Sequence, residues 1–405
     1  RKKGLRDAIL VYCLLFVSGS QIFNQSPNKF LIIIFIISLL AWFFYSDRKI
    51  NDRFVLYVCI FTGFLLVIHL YTDKSLQFSS VIGTTMKLLL AYLILKAVGS
   101  NFLETYIKVV VFLAVISLGG YLSDSFLLFD GLIRWLPMVG DLGYEGIFYL
   151  FRFQNHIDRN NSIFFEPGAY QMFLNAALFM LFFASTKYST RRRGVYILIL
   201  SVTLLTTFST TGFMIFGAML GLVMIKSSII SQRGKLTLIG LLVLTIVVFT
   251  AQFQSVIIDK VNHFLAIRDI TDTKDLRSFD LLVDLEVFKR HIFGIGYDKY
   301  FVEVSAIGQI GEGHGSSNGV TKTLAIYGLP FSLFLFTSYY YFFWKLFRGV
   351  FMRIVPFGML IIFLFTQSSF VFAPFCLLLI SAIFVYDTIA EGESMDCERD
   401  TTSAA

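Results

Sequence analysis

The chain has 405 residues, of which 56% are hydrophobic and only 15% are charged. A soluble protein of this length would be about one quarter charged, so the composition excludes an ordinary globular enzyme. Apolar runs of roughly 18 residues or more recur along the chain, which is the length that an α-helix needs to cross a bilayer. The net charge of +7 indicates membrane orientation rather than nucleic-acid binding. We therefore predict an all-α polytopic membrane protein.

The apolar runs predict about twelve transmembrane helices, which form a single transmembrane domain over residues 1–387. The first run follows a basic start but lacks a clear small-x-small cleavage site, so we interpret it as a helix rather than a signal peptide. The seventh and eighth helices could also form one broken hairpin. The predicted helices cover residues 7–23, 29–46, 53–71, 80–98, 105–123, 167–186, 194–208, 211–230, 236–252, 319–341, 354–369 and 371–387.

The connecting segments predict the orientation of these helices. When the N-terminus is placed in the cytoplasm, nearly all the inside loops are short and basic, as the positive-inside rule requires. Both termini are then cytoplasmic, and the acidic tail at 388–405 is predicted to be disordered. The cysteines fall in predicted spans or in the tail, so we expect no disulfide framework and no zinc site from Cys13, Cys59, Cys376 and Cys397.

Two connections are much longer than the others, and both lie outside on this topology. They cover residues 124–166 and 253–318. Loops of this length are usually functional or disordered, and these two are too aromatic for disorder. Within the second loop, Leu276, Phe279, Val283 and Val287 follow helical spacing. We therefore predict an amphipathic helix over 275–291 on the membrane surface.

The first long loop ends in a polar corner, Glu166-Pro167-Gly168. One interpretation is structural, because proline suits the first turn of a helix and a carboxylate is favoured at the positive end of the helix dipole. The other interpretation is a sugar-binding rim, because further polar groups crowd the same short segment. The candidate residues for sugar contacts in this region are Arg159, Asn160, Asn161 and Tyr170.

The predicted helix in the second loop carries Arg277 close to its start. With Asp280 and Asp284 it shares a helix face, so one interpretation is an exposed ion pair of little energetic value. The alternative is phosphate binding, because the guanidinium fork matches phosphate oxygens. Gly294 and Gly296, which follow this helix, permit a close backbone approach.

A glycine- and serine-rich stretch, GEGHGSSNG, precedes the next predicted span and contains His314 and Asn318. Histidine is the side chain whose ordinary pKa suits proton transfer near neutral pH. The competing interpretation is a solvated loop histidine without a chemical role. Asn318 is a candidate for contacts with substrate.

Taken in order, the segments NNSIFFEPGAYQMFLN, LRSFDLLVDLEVFKRHIFGIGYDKY and GHGSSNGVTKTLAIYGLPF resemble a known group of membrane glycosyltransferases. This group comprises the O-antigen and capsular polysaccharide polymerases (Wzy-type) and the O-antigen ligases. The resemblance covers roughly residues 150 to 340 together with the twelve-helix layout. It implies a GT-C-like fold in the bacterial inner (cytoplasmic) membrane, with the two long loops and the active site on the periplasmic side.

The resemblance also implies roles for individual residues. In this group the donor is a polyprenyl-diphosphate-linked glycan, and arginines of the outer loops bind the diphosphate. Arg277 of the second loop and Arg159 or Arg152 of the first loop take that role here, and His314 corresponds to the group's outer histidine. Many members carry a Ser-Arg pair after the seventh helix, where this chain reads FSTTGF at 208–213, so the resemblance supplies no diphosphate contact there.

The chemistry of such a transfer fits the residues without a cofactor or a metal ion. Nucleotide sugars are absent outside the inner membrane, so an outer-face enzyme needs a lipid-linked donor. Arginine stabilises the diphosphate charge that develops, and His314 or Glu166 accepts the proton of the acceptor hydroxyl. The sequence contains no Asp-x-Asp motif of the kind that a metal-dependent transferase uses.

These observations lead to one expected function and two alternatives. The first is a polymerase that transfers a growing undecaprenyl-diphosphate-linked glycan onto a lipid-linked repeat unit, in contact with membrane lipids and a chain-length regulator protein. The second is an O-antigen ligase that moves the glycan to a lipid A core. The third is a transporter or flippase for lipid-linked oligosaccharides, although Lys87 is the only obvious charge deep in a predicted span, whereas transporters place their binding groups near the midplane.

Overall fold

A computed structural model describes residues 2–72, 78–125, 144–145, 152–153, 159–184, 187–225, 240, 243, 276–308 and 315–385. These residues are almost entirely helical. The helices are α1 (Lys2–Gly19), α2 (Gln21–Gln25), α3 (Pro27–Tyr45), α4 (Asp52–Thr72), α5 (Phe78–Val98), α6 (Phe102–Ser125), α7 (Pro167–Phe183), α8 (Thr190–Thr206), α9 (Thr210–Ile225), α10 (Leu276–Arg290), α11 (Tyr297–Gly308), α12 (Gly319–Leu346), α13 (Val350–Thr366) and α14 (374–385). A pair of two-residue strands, β1 (Tyr144–Glu145) and β2 (Arg152–Phe153), is antiparallel.

Every helix predicted from the apolar runs coincides with a described helix except the one at 236–252, of which the structure describes only positions 240 and 243. The helix predicted at 275–291 is present as α10, and its position on the membrane surface stays a prediction. The predicted tail at 388–405 and most of both long loops lie outside the described residues. The prediction of an all-α chain is therefore confirmed for the described part.

Within the described residues, five helical runs are long and apolar enough to cross a membrane, judged by length and composition. Three shorter apolar helices, α7, α9 and α13, add to them. The long runs are Pro27–Tyr45, Asp52–Thr72, Ser79–Leu122, Gly319–Leu346 and Ser368–Val385. Their composition supports the prediction of a membrane protein, because long apolar helices of this kind satisfy their backbone polar groups internally.

The chain divides into two compact units, each built from several chain segments. The first unit comprises residues 1–26, 100–278 and 359–367. In this unit α6 packs against α1, α7 and α8, while α7 also packs against α9. Fully buried side chains of α6 and α7, such as Tyr106, Phe173 and Leu178, form its core.

The second unit comprises residues 27–99, 279–358 and 368–405. Its α5 packs against α3 and α4, and α12 packs against α4 and α11. Aromatic rings fill the space beside α4: Phe54 stacks on Tyr92 with centroids 3.8 Å apart, and Tyr57 stacks on Phe334 at 5.0 Å. The phenylalanine-rich composition therefore forms contacts between helices as well as an apolar surface.

Helix α12 is broken at Gly328, whose φ of 77° and ψ of 174° are not helical. Pro330 follows and lacks the N–H that would close the helix there. The segment between α10 and α11 bonds the backbone groups at the break: Ile295 N–H donates to Ala325 O at 3.1 Å, Gly296 N–H donates to Ile326 O at 3.0 Å, and Leu329 N–H donates to Ile292 O at 2.8 Å. A discontinuous helix is thus satisfied by protein backbone rather than by lipid or water.

Candidate functional site

The polar segment 159–166 of the first unit is fixed by backbone hydrogen bonds to two helix ends. Gln21 N–H donates to Ile163 O at 3.1 Å, and Phe165 N–H donates to Gly19 O at 3.1 Å. At its other end, Asn160 N–H donates to Thr206 O at 2.9 Å. These bonds satisfy backbone groups that the ends of α1 and α8 would otherwise leave without partners.

Asn160 and Tyr170 are buried in one side-chain network. The Nδ2 of Asn160 donates to Ser117 Oγ at 3.2 Å and to Thr206 Oγ1 at 3.1 Å. Ser117 in turn shares a hydrogen bond of 3.0 Å with the hydroxyl of Tyr170, which is fully buried. Both predicted sugar contacts therefore serve to hold the segment in place, and their contact with a substrate stays a prediction.

Asn161 is also buried, and its side chain is only partly satisfied. Its Nδ2 donates to Phe164 O at 2.8 Å, whereas its Oδ1 has no hydrogen-bond partner within the described residues. The next residue, Ser162, has a φ of 50°, a left-handed conformation that few non-glycine residues adopt. The left-handed backbone of Ser162 and the buried Oδ1 of Asn161 both cost free energy at this turn.

Helix α7 begins at Pro167, as the sequence predicted, and Glu166 precedes it in an extended conformation without a side-chain cap to the helix. The part-buried Glu166 carboxylate lies close to Gly168, where an added Cβ would come 3.4 Å from Glu166 Oε1 and 2.6 Å from Gln367 Nε2. The predicted helix start at Pro167 is therefore confirmed, and the role of Glu166 toward a sugar stays a prediction. Arg159 lies part-buried at the start of the segment, and the side chain of Arg152 in β2 is outside the described part.

A polar face on α7 escaped the sequence analysis. Asn175 Nδ2 donates to Gln171 Oε1 at 2.9 Å and to Gly212 O at 3.2 Å, and both side chains are buried. Gly212 allows this contact, because an added Cβ would lie 2.9 Å from Gln171 Cβ. The i, i+4 spacing of two amides in an apolar helix places them on one face, so the sequence could have predicted this polar face.

We expect Asn160→Ala to lower the free energy of unfolding by about 2 kcal/mol, because it leaves buried partners without their hydrogen bonds. The matched control is Asn24→Ala on the exposed face of α2, which should leave stability within about 0.5 kcal/mol. Thermal melting of the purified protein in detergent measures both. If Asn160→Ala melted like the wild type but lost activity, the residue would act on substrate rather than on the fold.

In the second unit, α10 carries the predicted apolar face, with Val283 and Val287 almost fully buried. Asp280 and Asp284 are also buried, at 4% and 1% exposure. The prediction that these aspartates are exposed is therefore wrong, whereas an ion pair with Arg277 stays a prediction. Both carboxylates turn toward the protein because donors from α11, from the turn at Ser316 and Ser317 and from the first turn of α12 satisfy them there.

Asp284 accepts hydrogen bonds from three hydroxyls on three chain segments. The Tyr300 hydroxyl donates to its Oδ1 at 2.5 Å, while Ser316 Oγ and Thr321 Oγ1 donate to its Oδ2 at 2.8 and 2.7 Å. A buried carboxylate needs such donors to offset the loss of water. Asp284 thereby joins α10, α11 and the first turn of α12.

Asp280 fixes the turn that leads into α12. Its Oδ2 accepts from both the backbone N–H and the Oγ of Ser317, each at 2.7 Å. The next residue, Asn318, caps α12 by accepting from the N–H groups of Val320 and Thr321, both at 3.2 Å. Asn318 therefore has a capping role, and its predicted contact with substrate stays a prediction.

Burial raises the pKa of Asp284 to about 6, against the opposite effect of its three hydroxyl donors, and the neighbouring Asp280 raises it further. Burial and the Asp284 carboxylate also raise the pKa of the Tyr300 hydroxyl, so this hydroxyl remains a donor. The network therefore changes its protonation state just below neutral pH.

Lys322, in the first turn of α12, lies beside this network. Its Nζ is 5.9 Å from the ring centroid of Tyr300 and 5.7 Å from that of Phe301. It also lies 3.6 Å from the position that a Cβ on Gly315 would occupy. The ammonium is thus held against two aromatic faces next to the glycine that follows His314 in the chain.

The two other predicted site residues of the second loop are described only in part. Arg277 lies in the first turn of α10, but its side chain is outside the described part, as is the whole of His314. What the structure brings together is the helix that carries Arg277 and the turn that follows His314. Asp280, three residues after Arg277, bonds Ser317, three residues after His314.

The burial of the two carboxylates could have been predicted from their positions in the sequence. Asp280 and Asp284 continue the i, i+4 row of Leu276 and lie beside the row of Val283 and Val287. Carboxylates within an apolar stripe point to burial, and burial requires donors. Those donors lie 16 to 37 residues further along the chain, so spacing could not identify them.

The chemical groups of these two segments are carboxylates, amides, hydroxyls and an ammonium. Within the described ranges, no three His, Cys, Asp or Glu side chains lie close enough together to hold a metal ion. Comparison of the chain with models of protein families, with curated proteins and with solved structures finds no match.

Proposed function

We propose that this protein is a polysaccharide polymerase, a glycosyltransferase that extends a polyprenyl-diphosphate-linked glycan. The observation that carries the proposal is the pair of buried carboxylates, Asp280 and Asp284. They tie the helix bearing Arg277 to the Gly-Ser turn that follows His314. A transferase of this kind needs a cation for the leaving diphosphate close to a base for the acceptor hydroxyl.

In the proposed reaction the acceptor hydroxyl of a lipid-linked repeat unit attacks the anomeric carbon of the donor glycan. The bond from this carbon to the diphosphate oxygen breaks, and a bond to the acceptor oxygen forms. Arg277 binds the diphosphate through its guanidinium fork as the leaving charge develops. His314 accepts the proton that the acceptor hydroxyl loses. The products are the extended glycan and the free lipid diphosphate.

The first long loop keeps its predicted roles in this proposal. Arg159 or Arg152 adds a second cation for a diphosphate, and Glu166 organises the acceptor or replaces His314 as the base. The fixed backbone of segment 159–166 supports such a role, because a binding group is more effective when its position is set in advance. In this proposal the Oδ1 of Asn161, which is buried and has no hydrogen-bond partner within the described residues, accepts from a sugar hydroxyl only after the segment opens.

The proposal includes a location and a set of partners. The chain would lie in the bacterial inner membrane with about twelve spans, both termini in the cytoplasm and two long loops in the periplasm. Its partners would be undecaprenyl-diphosphate-linked oligosaccharides, membrane lipids and a chain-length regulator protein. The apolar helices support the membrane location, and the basic short loops support the orientation.

One observation bears on the transporter alternative. Transporters often bind their substrates at broken helices, and α12 is broken at Gly328. Here, however, the carbonyls of Ala325 and Ile326 and the N–H of Leu329 all bond the segment before α11. The break therefore offers these backbone groups to protein rather than to a ligand, which favours the enzyme.

We expect Arg277→Ala to reduce the long glycan chains at the cell surface by about 100-fold or more, the typical effect of removing one stabilising donor from a transition state. The measurement is the glycan ladder of cells that express the variant at the wild-type level. Arg290→Ala is the matched control, because Arg290 lies on the same helix in half-exposed ion pairs with Glu286 and Glu303, and it should leave the ladder unchanged.

A normal ladder from a stably expressed Arg277→Ala protein would contradict the proposed diphosphate contact. Deletion of the whole gene separates the polymerase from the ligase. Loss of a polymerase leaves single repeat units on the lipid A core, whereas loss of a ligase leaves finished polymer on the carrier lipid.

A further inference from the structure

Lys87 is a cation in the middle of α5 that the proposed reaction does not use. It lies nine residues after Phe78, where the helix begins, and eleven residues before Val98, where it ends. Both ends are therefore more than about 13 Å away along the helix axis. A lysine has a flexible stem of four carbons, which is too short to carry the ammonium to either end. The charge therefore stays within the apolar length of α5.

The described helices supply no counter-ion for this ammonium. Lys87 is part-buried, and within the described ranges no hydrogen bond, ion pair or neighbouring charge acts on its Nζ. The helices that pack most closely on α5 are α3 and α4, whose one acidic residue is Asp52. Asp52 lies toward the other end of α5, because the N–H of its neighbour Asn51 donates to the Tyr92 hydroxyl at 3.2 Å. A cation inside a membrane is costly, and such residues usually pair with a group of opposite charge or line a substrate path.

The face of α5 that carries Lys87 is polar from this residue to the start of the helix. Ser80, Thr84 and Lys87 follow i, i+4, i+7 spacing, so they lie on one face. All three are part-buried, and the described residues offer no hydrogen-bond partner to either hydroxyl. Gly83 lies on the same face, and nothing is found within 4 Å of the position that a Cβ would occupy there. The outer half of α5 therefore presents three donor side chains beside open space.

Other hydroxyls of these helices have partners. Ser38 in α3 and Thr72 in α4 donate to the carbonyl four residues earlier, at 2.8 and 2.6 Å, as hydroxyls in membrane helices often do. Thr85, on another face of α5, shares a hydrogen bond of 3.0 Å with Thr62 of α4. The hydroxyl of Thr84 forms neither kind of bond within the described part of the chain. Packing of the helices thus accounts for the neighbouring hydroxyls but not for this one.

The chemistry of this face matches an anion with several oxygen atoms. Long side chains in a helix point toward its N-terminus, so the ammonium of Lys87 lies near the level of Gly83 and Thr84. The ammonium has three N–H donors, and each hydroxyl of Ser80 and Thr84 adds one. A phosphate accepts several such bonds at once, and its bonds to a charged donor are stronger than neutral ones.

We propose that Lys87, together with Thr84 and Ser80, binds a phosphate group of a lipid in a groove that opens at the start of α5. The identity of the lipid rests on the proposed function, which places this end of α5 at the periplasmic side and requires two lipid-linked substrates. Arg277 binds the diphosphate that leaves the donor. The acceptor keeps its own diphosphate throughout the reaction and needs a separate cation. Lys87 supplies that cation and is a binding residue for the acceptor lipid.

The test uses the purified full-length protein in detergent and measures the binding of three probes: farnesyl diphosphate, farnesol and phosphatidylglycerol. We expect Lys87→Met to weaken the binding of farnesyl diphosphate about tenfold or more, the effect of losing one charged hydrogen bond. Thr84→Val should weaken it by roughly threefold, because a neutral hydrogen bond contributes less. Lys29→Met is the matched control, because Lys29 is exposed in the first turn of α3, and it should bind like the wild type.

The three probes separate the phosphate from the lipid chain and identify its source. Lys87-dependent binding of farnesyl diphosphate but not of phosphatidylglycerol indicates the lipid-linked diphosphate. Equal Lys87-dependent binding of phosphatidylglycerol indicates a phospholipid headgroup, and both outcomes support a phosphate site. Farnesol has the same chain without phosphate, so Lys87→Met should not change its binding. Wild-type protein that binds neither phosphate probe, or a Lys87→Met protein that binds both with wild-type affinity, would overturn the site.

A second measurement tests whether the fold itself uses the ammonium. Without a probe, Lys87→Met should melt at the wild-type temperature or above it, because an apolar side chain replaces a cation that has no partner. A midpoint lowered by several degrees would show that the ammonium is paired within the protein, and would also overturn the site. A glycan polymerisation assay is kept separate, because Lys87-dependent binding without polymerisation would sink the polymerase and leave the phosphate site standing.

Discussion

Gly328→Ala is expected to lower the free energy of unfolding by roughly 4 kcal/mol or more, enough to reduce the yield of folded protein severely. Gly328 has a φ of 77°, and an added Cβ would lie 2.2 Å from the backbone carbon of Phe293. Because the obstacle is backbone and not a flexible side chain, the segment before α11 must move away. That movement would break the hydrogen bonds by which it satisfies the broken α12.

The measurement is the thermal midpoint of the purified variant in detergent, together with its yield. Gly358→Ala in α13 is the matched control, because nothing lies within 4 Å of an added Cβ there, and it should change stability by less than about 1 kcal/mol. Gly294→Ala should behave like Gly328→Ala, since its Cβ would meet Ile326 O at 2.6 Å. A Gly328→Ala protein as stable as the Gly358→Ala control would contradict the close contact between these two backbone segments.

Asp284→Ala is expected to cost about 3 to 5 kcal/mol, because it leaves three buried hydroxyls without an acceptor. Asp284→Asn should cost less, since its amide oxygen still accepts and the hydroxyls can turn. Glu286→Ala on the same helix is the control, because the ion pairs of Glu286 with Lys289 and Arg290 are partly exposed, and it should cost less than about 1 kcal/mol. Thermal midpoints in detergent measure all three.

The same residue makes stability depend on pH. The pKa of Asp284 is about 6 in the folded protein, compared with about 4 for an unfolded aspartate. Between pH 4 and 6 the folded protein therefore binds a proton at Asp284 that the unfolded chain does not bind, and this difference stabilises the folded state. The stabilisation is lost as the pH rises through 6. The expected loss is up to about 3 kcal/mol. The difference in midpoint between wild type and Asp284→Asn, measured at pH 4.5 and 7.5, should show it, and a constant difference would contradict it.

Much of the helical fold could be predicted because its cause is local. A run of apolar residues long enough to cross a bilayer is visible in any window of the sequence. The start of α7 at Pro167 was predictable because proline loses nothing at a first helical turn. The Gly-Leu-Pro sequence at 328–330 indicates a break in α12, but the backbone partners of this break lie 30 to 37 residues earlier. Non-local pairing of this kind leaves no periodic signal.

The candidate site was less predictable for the same reason. The residues that bind one another are Asp284 with Tyr300, Ser316 and Thr321 in one network, and Asn160 with Ser117 and Thr206 in another. Each network joins residues from separate helices and from the turns before them. The sequence identified polar residues within apolar segments as candidates. It did not distinguish the residues that stabilise the fold from those that are available to a ligand.

This distinction changes the ranking of the candidate residues. Asn160, Tyr170 and Asn318 have structural duties in a buried network or a helix cap. By contrast, the buried Oδ1 of Asn161 has no hydrogen-bond partner within the described residues. Arg277 and His314 keep the roles that the resemblance gives them, on a helix and beside a turn that the aspartates bind together.

The measurement that tests the polymerase proposal most directly is polymerisation by the purified protein in detergent, supplied with lipid-linked repeat units and no other enzyme. Detergent removes the bilayer, so a transporter would give no product in this assay. The proposal predicts a ladder of glycans on the lipid diphosphate from the wild type, and none from Arg277→Ala. Unchanged repeat units from the wild type, together with their transfer across the membrane of proteoliposomes, would contradict it.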